Sequence, residues 1–206
     1  IDNAVYYFNH SDTNRYYGRY SSYIGGVSSD GIANNIIPAM QGFFVHVSSG
    51  SFPVTGTLSC TNAVRTTNLT PHYFKQTASG DWPLIRLSAG LTPDYINADP
   101  TVIYFEELGT PGFDIELDAL KMMNTDANVP SLYSTSIDDN TYSIQSLPAL
   151  TDSMRIIPLG LKTEKDGMIT FSARDIENMP TGMHIWFYDA QTGKVQDLNT
   201  TPQYQV

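Results

Sequence analysis

Apolar and polar positions alternate along this chain in short runs, each broken by Gly, Pro, Asn, Asp or Ser. No segment sustains the period of 3.6 that marks a long amphipathic helix. The alternation predicts strands over Gln41–Val47, with Phe43, Val45 and Val47 on one face, and over Gly56–Val64, carrying Leu58, Cys60 and Val64. It predicts a further strand over Trp82–Leu87, where Trp82, Leu84 and Arg86 oppose Pro83, Ile85 and Leu87. His72–Phe74, Thr101–Glu107, Pro130–Ser134, Thr141–Leu147, Met154–Leu161, Met168–Ala173 and Met183–Asp189 complete the set, and Gly90–Pro100 reads as a loop. Ala4–Tyr23 reads as a tyrosine-rich hairpin about His10–Asn14, and Lys165–Gly167 and Gln191–Gly193 supply the Gly that tight hairpin turns need. Ala173–Met179 is expected to make one helical turn before Pro180. In Met183–Asp189 both faces are apolar, His184, Trp186 and Tyr188 against Met183, Ile185 and Phe187, which reads as a central strand buried on two sides.

Composition agrees with an all-β chain: 12 Pro, 15 Gly, 13 Tyr and 9 Phe stand beside only 16% charged residues. The 206 residues divide by charge. Residues 1–72 hold three basic and three acidic side chains, so the whole net charge of -10 lies beyond them. Length and that shift predict two β-sandwich modules, mostly antiparallel: an N-terminal one over residues 1–70 and a jelly-roll-like one over residues 71–206. The acidity argues against nucleic acid, whose affinity comes from Lys and Arg. No apolar run approaches the roughly 18 residues of a membrane span, so no membrane insertion is expected. Cys60 stands alone and is expected to be a small buried hydrophobe.

No phosphate cradle, nucleophile elbow or zinc-protease motif occurs, and the four His are scattered. Gly112–Lys121 carries the densest acids. Asp114, Glu116 and Asp118 at alternate positions offer oxygens of the kind calcium takes, although Ala119 stands where a calcium loop needs Gly and Thr125 where it needs Glu. The competing reading, which we favour, is that Asp114 and Asp118 stabilise a turn anchored by Phe113 and Leu117. Flat rings flanked by polar groups suit sugars. Tyr16, Tyr17, Tyr20 and Tyr23 are the preferred candidates for sugar contact, with Trp82, Trp186 and Tyr188 behind them.

The order of short motifs adds to this. Ile1-Asp-Asn-Ala-Val-Tyr-Tyr7, Ile37-Pro-Ala-Met-Gln-Gly-Phe-Phe-Val45, Ala63-Val-Arg-Thr-Thr67, Pro83-Leu-Ile-Arg-Leu87, Gly112-Phe-Asp114, Asp118-Ala-Leu-Lys121, Ile157-Pro-Leu-Gly160 and Trp186-Phe-Tyr-Asp-Ala-Gln-Thr-Gly193 follow one another across the chain. Together they resemble the C-terminal β-sandwich region of large secreted and surface proteins of Bacteroidetes-type bacteria, just ahead of the type IX secretion sorting domain. The resemblance implies a secreted or outer-surface location and no enzymatic activity, and, since the family's Gly-Trp-Asn-Leu-Ile-Gly-Asn-Pro-like strand ahead of the Tyr-rich segment is absent here, an incomplete N-terminal module. It also implies a multidomain parent whose other domains are partners, in adhesion or in polymer degradation. A non-catalytic adhesion or spacer segment is the expected function, with a carbohydrate-binding module as the alternative and no cofactor unless calcium binds.

Overall fold

The computed structural model describes residues 1–47, 51, 53–66, 80–92 and 97–206. Among these described residues the regular structure is all β apart from a single 3-10 turn at Asn62–Val64. The N-terminal strands are β1 (Val5–His10), β2 (Gly18–Ile24), β3 (Val27–Ser28) and β4 (Phe44–Val45). They form a four-stranded sheet in the order β3-β2-β1-β4. The expected tyrosine hairpin is present as β1 and β2, paired antiparallel from Val5↔Tyr23 to His10↔Gly18. Gly18 is required there: a Cβ would meet the Asn9 carbonyl oxygen at 2.2 Å.

The larger sheet draws on β5 (Leu84–Gly90), β6 (Ala98–Glu106), β7 (Ala119–Leu120), β8 (Ser131–Thr135), β9 (Thr141–Pro148), β10 (Leu159–Lys162) and β11 (Thr170–Glu177). After the hairpin β12 (Trp186–Asp189) and β13 (Lys194–Asp197), the chain rejoins that sheet as β14 (Gln203–Gln205). The order is β10-β8-β9-β6-β5-β11-β14, with β7 beside β9. All pairs are antiparallel except β6 with β9. β5 and β8 stand three places apart in this order, which would put them roughly 14 Å apart in a flat sheet. They instead come within 8 Å, so the sheet curls.

Alternation along β5 and β6 separates two apolar clusters. Leu84, Val102 and Tyr104 face the small sheet and pack with Ala4, Tyr6, Ile24 and Val27. Ile85, Leu87, Ile103 and Phe105 face the concave side and pack with Leu132, Phe171 and Tyr204. The first cluster therefore draws on residues from both sides of the expected boundary at 70/71. Hydrogen bonds also cross it: Ser22 to Ser143 at 2.7 Å, and Asn3 N–H to the Ile115 carbonyl at 2.9 Å.

Several local expectations are corrected. Gly56–Val64 is not a strand; Leu58 and Val64 are exposed, because Thr57, Ser59 and Thr61 alternate with too little apolar volume to bury a face. Cys60 lies in that stretch and is an exposed free thiol rather than a buried one. In Gln41–Val47 only Phe44 and Val45 pair, against β1. The end of Gly90–Pro100 is already strand, since β6 begins at Ala98. Lys165–Gly167 does not close a hairpin: β10 pairs with β8 and β11 with β5, so the loop crosses between distant strands. Ala173–Met179 continues β11 through Glu177 instead of turning helical, because β5 offers it a free edge. His72–Phe74 lies outside the described residues.

Candidate functional site

The hairpin β12–β13 is built from a turn whose acceptor is Asp189. Its Oδ1 accepts the Gln191 and Thr192 N–H groups at 2.8 and 3.3 Å, and its Oδ2 accepts the Thr192 and Tyr204 hydroxyls at 2.7 and 2.8 Å. Those hydroxyls, Thr192 foremost, hold the Asp189 carboxyl down to about 2. Gly193 supplies the left-handed position, φ +70°, that closes the turn.

Along Met183–Asp189 every second side chain is exposed. Phe187 faces inward, its ring 4.9 Å from Phe171 and 5.1 Å from Tyr204, and Ile185 packs on the same cluster. His184, Trp186 and Tyr188 take the other face, with Trp186 60% and Tyr188 62% exposed. This overturns the expectation of a strand buried on two sides. Among the described residues β12 pairs only with β13, whose Lys194, Gln196 and Asp197 provide no second apolar layer.

The exposed face is held in place. His184 stacks on Trp186 with centroids 5.9 Å apart and planes 24° apart. His184 Nδ1 meets Asp197 Oδ2 at 2.8 Å, and that bond is the main cause lowering the Asp197 carboxyl. Asp197 is the cross-strand partner of Trp186, and Val195, 58% exposed, is the partner of Tyr188. Below, Ile185 N–H donates to Asn199 Oδ1 at 2.8 Å and Leu198 N–H to the Ile185 carbonyl at 2.8 Å. The result is a platform of two aromatic rings and an imidazole with a carboxylate at its edge. Two positions along a strand advance roughly 6.6 Å, so Trp186 and Tyr188 stand side by side on the exposed face. An exposed aromatic surface of this kind can cover apolar ring faces while polar neighbours meet hydroxyls.

The four tyrosines expected to contact sugar are not gathered in this way. Tyr16 and Tyr17 are exposed in the turn after β1, with the Arg15 guanidinium 4.9 Å over the Tyr16 ring. Tyr20 packs 5.1 Å from Phe8 and 5.9 Å from Phe44. Tyr23, three positions along β2, faces the opposite side from Tyr20. Trp82, half-buried against Tyr104 at 5.7 Å, instead lines a groove of about 400 Å³ with Asp81, Glu106 and Glu107. Burial, then the charge of Asp114, pushes the Glu106 carboxyl up.

Among the expected calcium ligands, Asp114 and Asp118 are engaged with the turn itself. Asp114 N–H donates to Asp118 Oδ2 and Glu116 N–H to Asp114 Oδ1, both at 2.8 Å, while Asp118 N–H returns to the Asp114 carbonyl at 2.9 Å. The other Asp118 oxygen accepts the Ser146 N–H at 2.6 Å and its hydroxyl at 2.7 Å. Glu116 is exposed. Among the described residues no group of three or more His, Cys, Asp or Glu is placed to hold a metal ion.

A family model matches residues 2–205, nearly the whole chain. The chain belongs to the family described as Domain of unknown function (DUF8693). Neither the curated proteins nor the solved structures gave a match. The DUF8693 description assigns no chemistry, so the functional reading rests on the platform and on the fold that holds it. Sequence reasoning found His184, Trp186 and Tyr188 but ranked them as core. The signal that separates the two readings is the polar strand across the Gln191–Gly193 turn, since Lys194–Asp197 could not flank a strand buried on both sides.

Proposed function

We propose that this chain is a non-catalytic binding segment of an extracellular multidomain protein, and that it attaches its parent to neutral polysaccharide through Trp186 and Tyr188. The exposed, hydrogen-bonded aromatic platform on β12–β13 carries this reading. Exposed aromatics cost a folded protein solubility, and a fold that positions them beside polar groups gains by covering them with a ligand. The net charge of -10 disfavours anionic polymers and leaves uncharged glycans as the fitting class. The motif order that resembles the region ahead of the type IX sorting domain supports a secreted or cell-surface location, with an adhesive role for the parent. In this reading the acids around Trp82 perform no hydrolysis. A glycan array with the purified chain is expected to show binding to neutral polysaccharides, and incubation with the bound polymers is expected to release no reducing ends. Silence across the array, or turnover, would reject the proposal.

A further inference from the structure

Asp99 on β6 and Lys121 just after β7 form a pair sealed from solvent, their side chains 0% and 1% exposed. Lys121 Nζ lies 2.5 Å from Asp99 Oδ2, which also accepts the Leu132 N–H at 2.7 Å. The other carboxyl oxygen, Oδ1, is buried and has no hydrogen-bond partner. With a carbon–oxygen bond of about 1.2 Å, Nζ stands no more than about 3.7 Å from Asp99 Cγ, close to attack distance.

A permanent ion pair fits this setting poorly. Two ions out of water carry a desolvation penalty that good geometry and further hydrogen bonds must offset, and here Oδ1 makes no hydrogen bond of good geometry, the Asn124 amide reaching the carboxyl only weakly. Burial pushes the Asp99 carboxyl up, opposed by Lys121, Asn124 and the Leu132 N–H, so the neutral acid is favoured relative to a carboxyl in water. Moving one proton from the ammonium to the carboxylate yields a neutral amine facing a neutral acid.

We propose that Lys121 and Asp99 condense into an intramolecular isopeptide bond. The Nζ lone pair forms a bond to Cγ, Oδ1 remains as the carbonyl oxygen, and the Cγ–Oδ2 bond breaks. Oδ2 departs as water, carrying the hydrogen first transferred to it from Nζ and a second hydrogen from Nζ. Atoms and charge balance without oxidant, reductant or co-reactant. The product is a neutral amide, which removes both buried charges, and the dry surroundings keep water from reversing the step. The bond would tie β6 to the end of β7 and lock the acidic turn between them. A segment that transmits load between a surface and its parent gains from such a link.

The full chain, denatured and weighed by intact-mass spectrometry, is expected to be lighter than its sequence by one water molecule. A protease digest is then expected to yield a branched peptide joining the segments around Asp99 and Lys121. Lys121→Met and Asp99→Leu should each weigh what their sequences dictate, whether or not they fold. A wild-type chain at its full sequence mass, with the Lys121 peptide released on its own, would overturn the proposal.

Discussion

Between the small sheet and the curled one the molecule buries charge, whereas on β12–β13 it exposes aromatic rings, the reverse of the usual distribution. In the first region Arg86 is 4% exposed and donates from Nε and Nη2 to the Ser29 and Ser28 carbonyls at 3.1 and 3.0 Å, while its Nη1 meets Asp175. A bulge between Ala173 and Asp175 aims that carboxylate. Asp118, 1% exposed, accepts three hydrogen bonds. These groups are directional fasteners: they orient the small sheet on the large one where apolar contact alone would allow sliding. In the second region the Trp186 and Tyr188 rings stand off the apolar core, Trp186 meeting the His184 ring. Charges inside specify the fold, and the rings outside are the ones the proposed binding would use.

Substitutions should separate the two regions sharply. Arg86→Ala takes the guanidinium away from Asp175 and from two backbone carbonyls, and a loss of about 3 kcal/mol is expected in urea denaturation. A loss near zero would show that Arg86 is no fastener. Asp118→Ala leaves the Ser146 N–H and hydroxyl and the Asp114 N–H without their acceptor, which should cost about 2 kcal/mol by the same measurement.

Asp118 also fixes the sign of a pH effect. Burial pushes its carboxyl up to about 6, against the pull of Ser146 and Asp114. Its contribution to stability is therefore complete below the ordinary value of 3.8 and is lost as pH rises through about 6. In paired thermal melts the wild-type advantage over Asp118→Asn is expected to shrink between roughly pH 4 and pH 7. An advantage that widens over that interval would contradict the assignment. At the other end of the comparison, Trp186→Ala and Tyr188→Ala are expected to stay within about 0.5 kcal/mol of wild type, because neither ring packs on the core.

Strands were legible where alternation met a real interior: β5, β6, β8 and β9 lie close to the spans their patterns predict. The turn at Asp114–Asp118 was legible as well, since its chemistry is local. What could not be read is what depends on distant partners. Arg86 and Asp175 are 89 residues apart, and Asp99 and Lys121 are 22 apart, so neither pairing leaves a mark in the local pattern. Exposure of the platform was hidden for a related reason. Two apolar faces on β12 fit a buried strand and a ligand-facing hairpin equally, and what decides between them lies outside the strand, in the polar Lys194–Asp197 across the turn. β7 and β14, two and three residues long, are fixed by the sheet edges they join and have too little pattern to detect.

Calorimetric titration of a neutral polysaccharide into four proteins tests the division of labour most directly: the wild type, Trp186→Ala, Tyr188→Ala and, as a control at the opposite hairpin, Tyr16→Ala. Each ring that covers a sugar should contribute enough that its removal weakens binding by ten-fold or more, about 1.4 kcal/mol, while Tyr16→Ala binds as the wild type does. Unchanged affinity in both β12 variants, with all four proteins equally folded, would contradict the account.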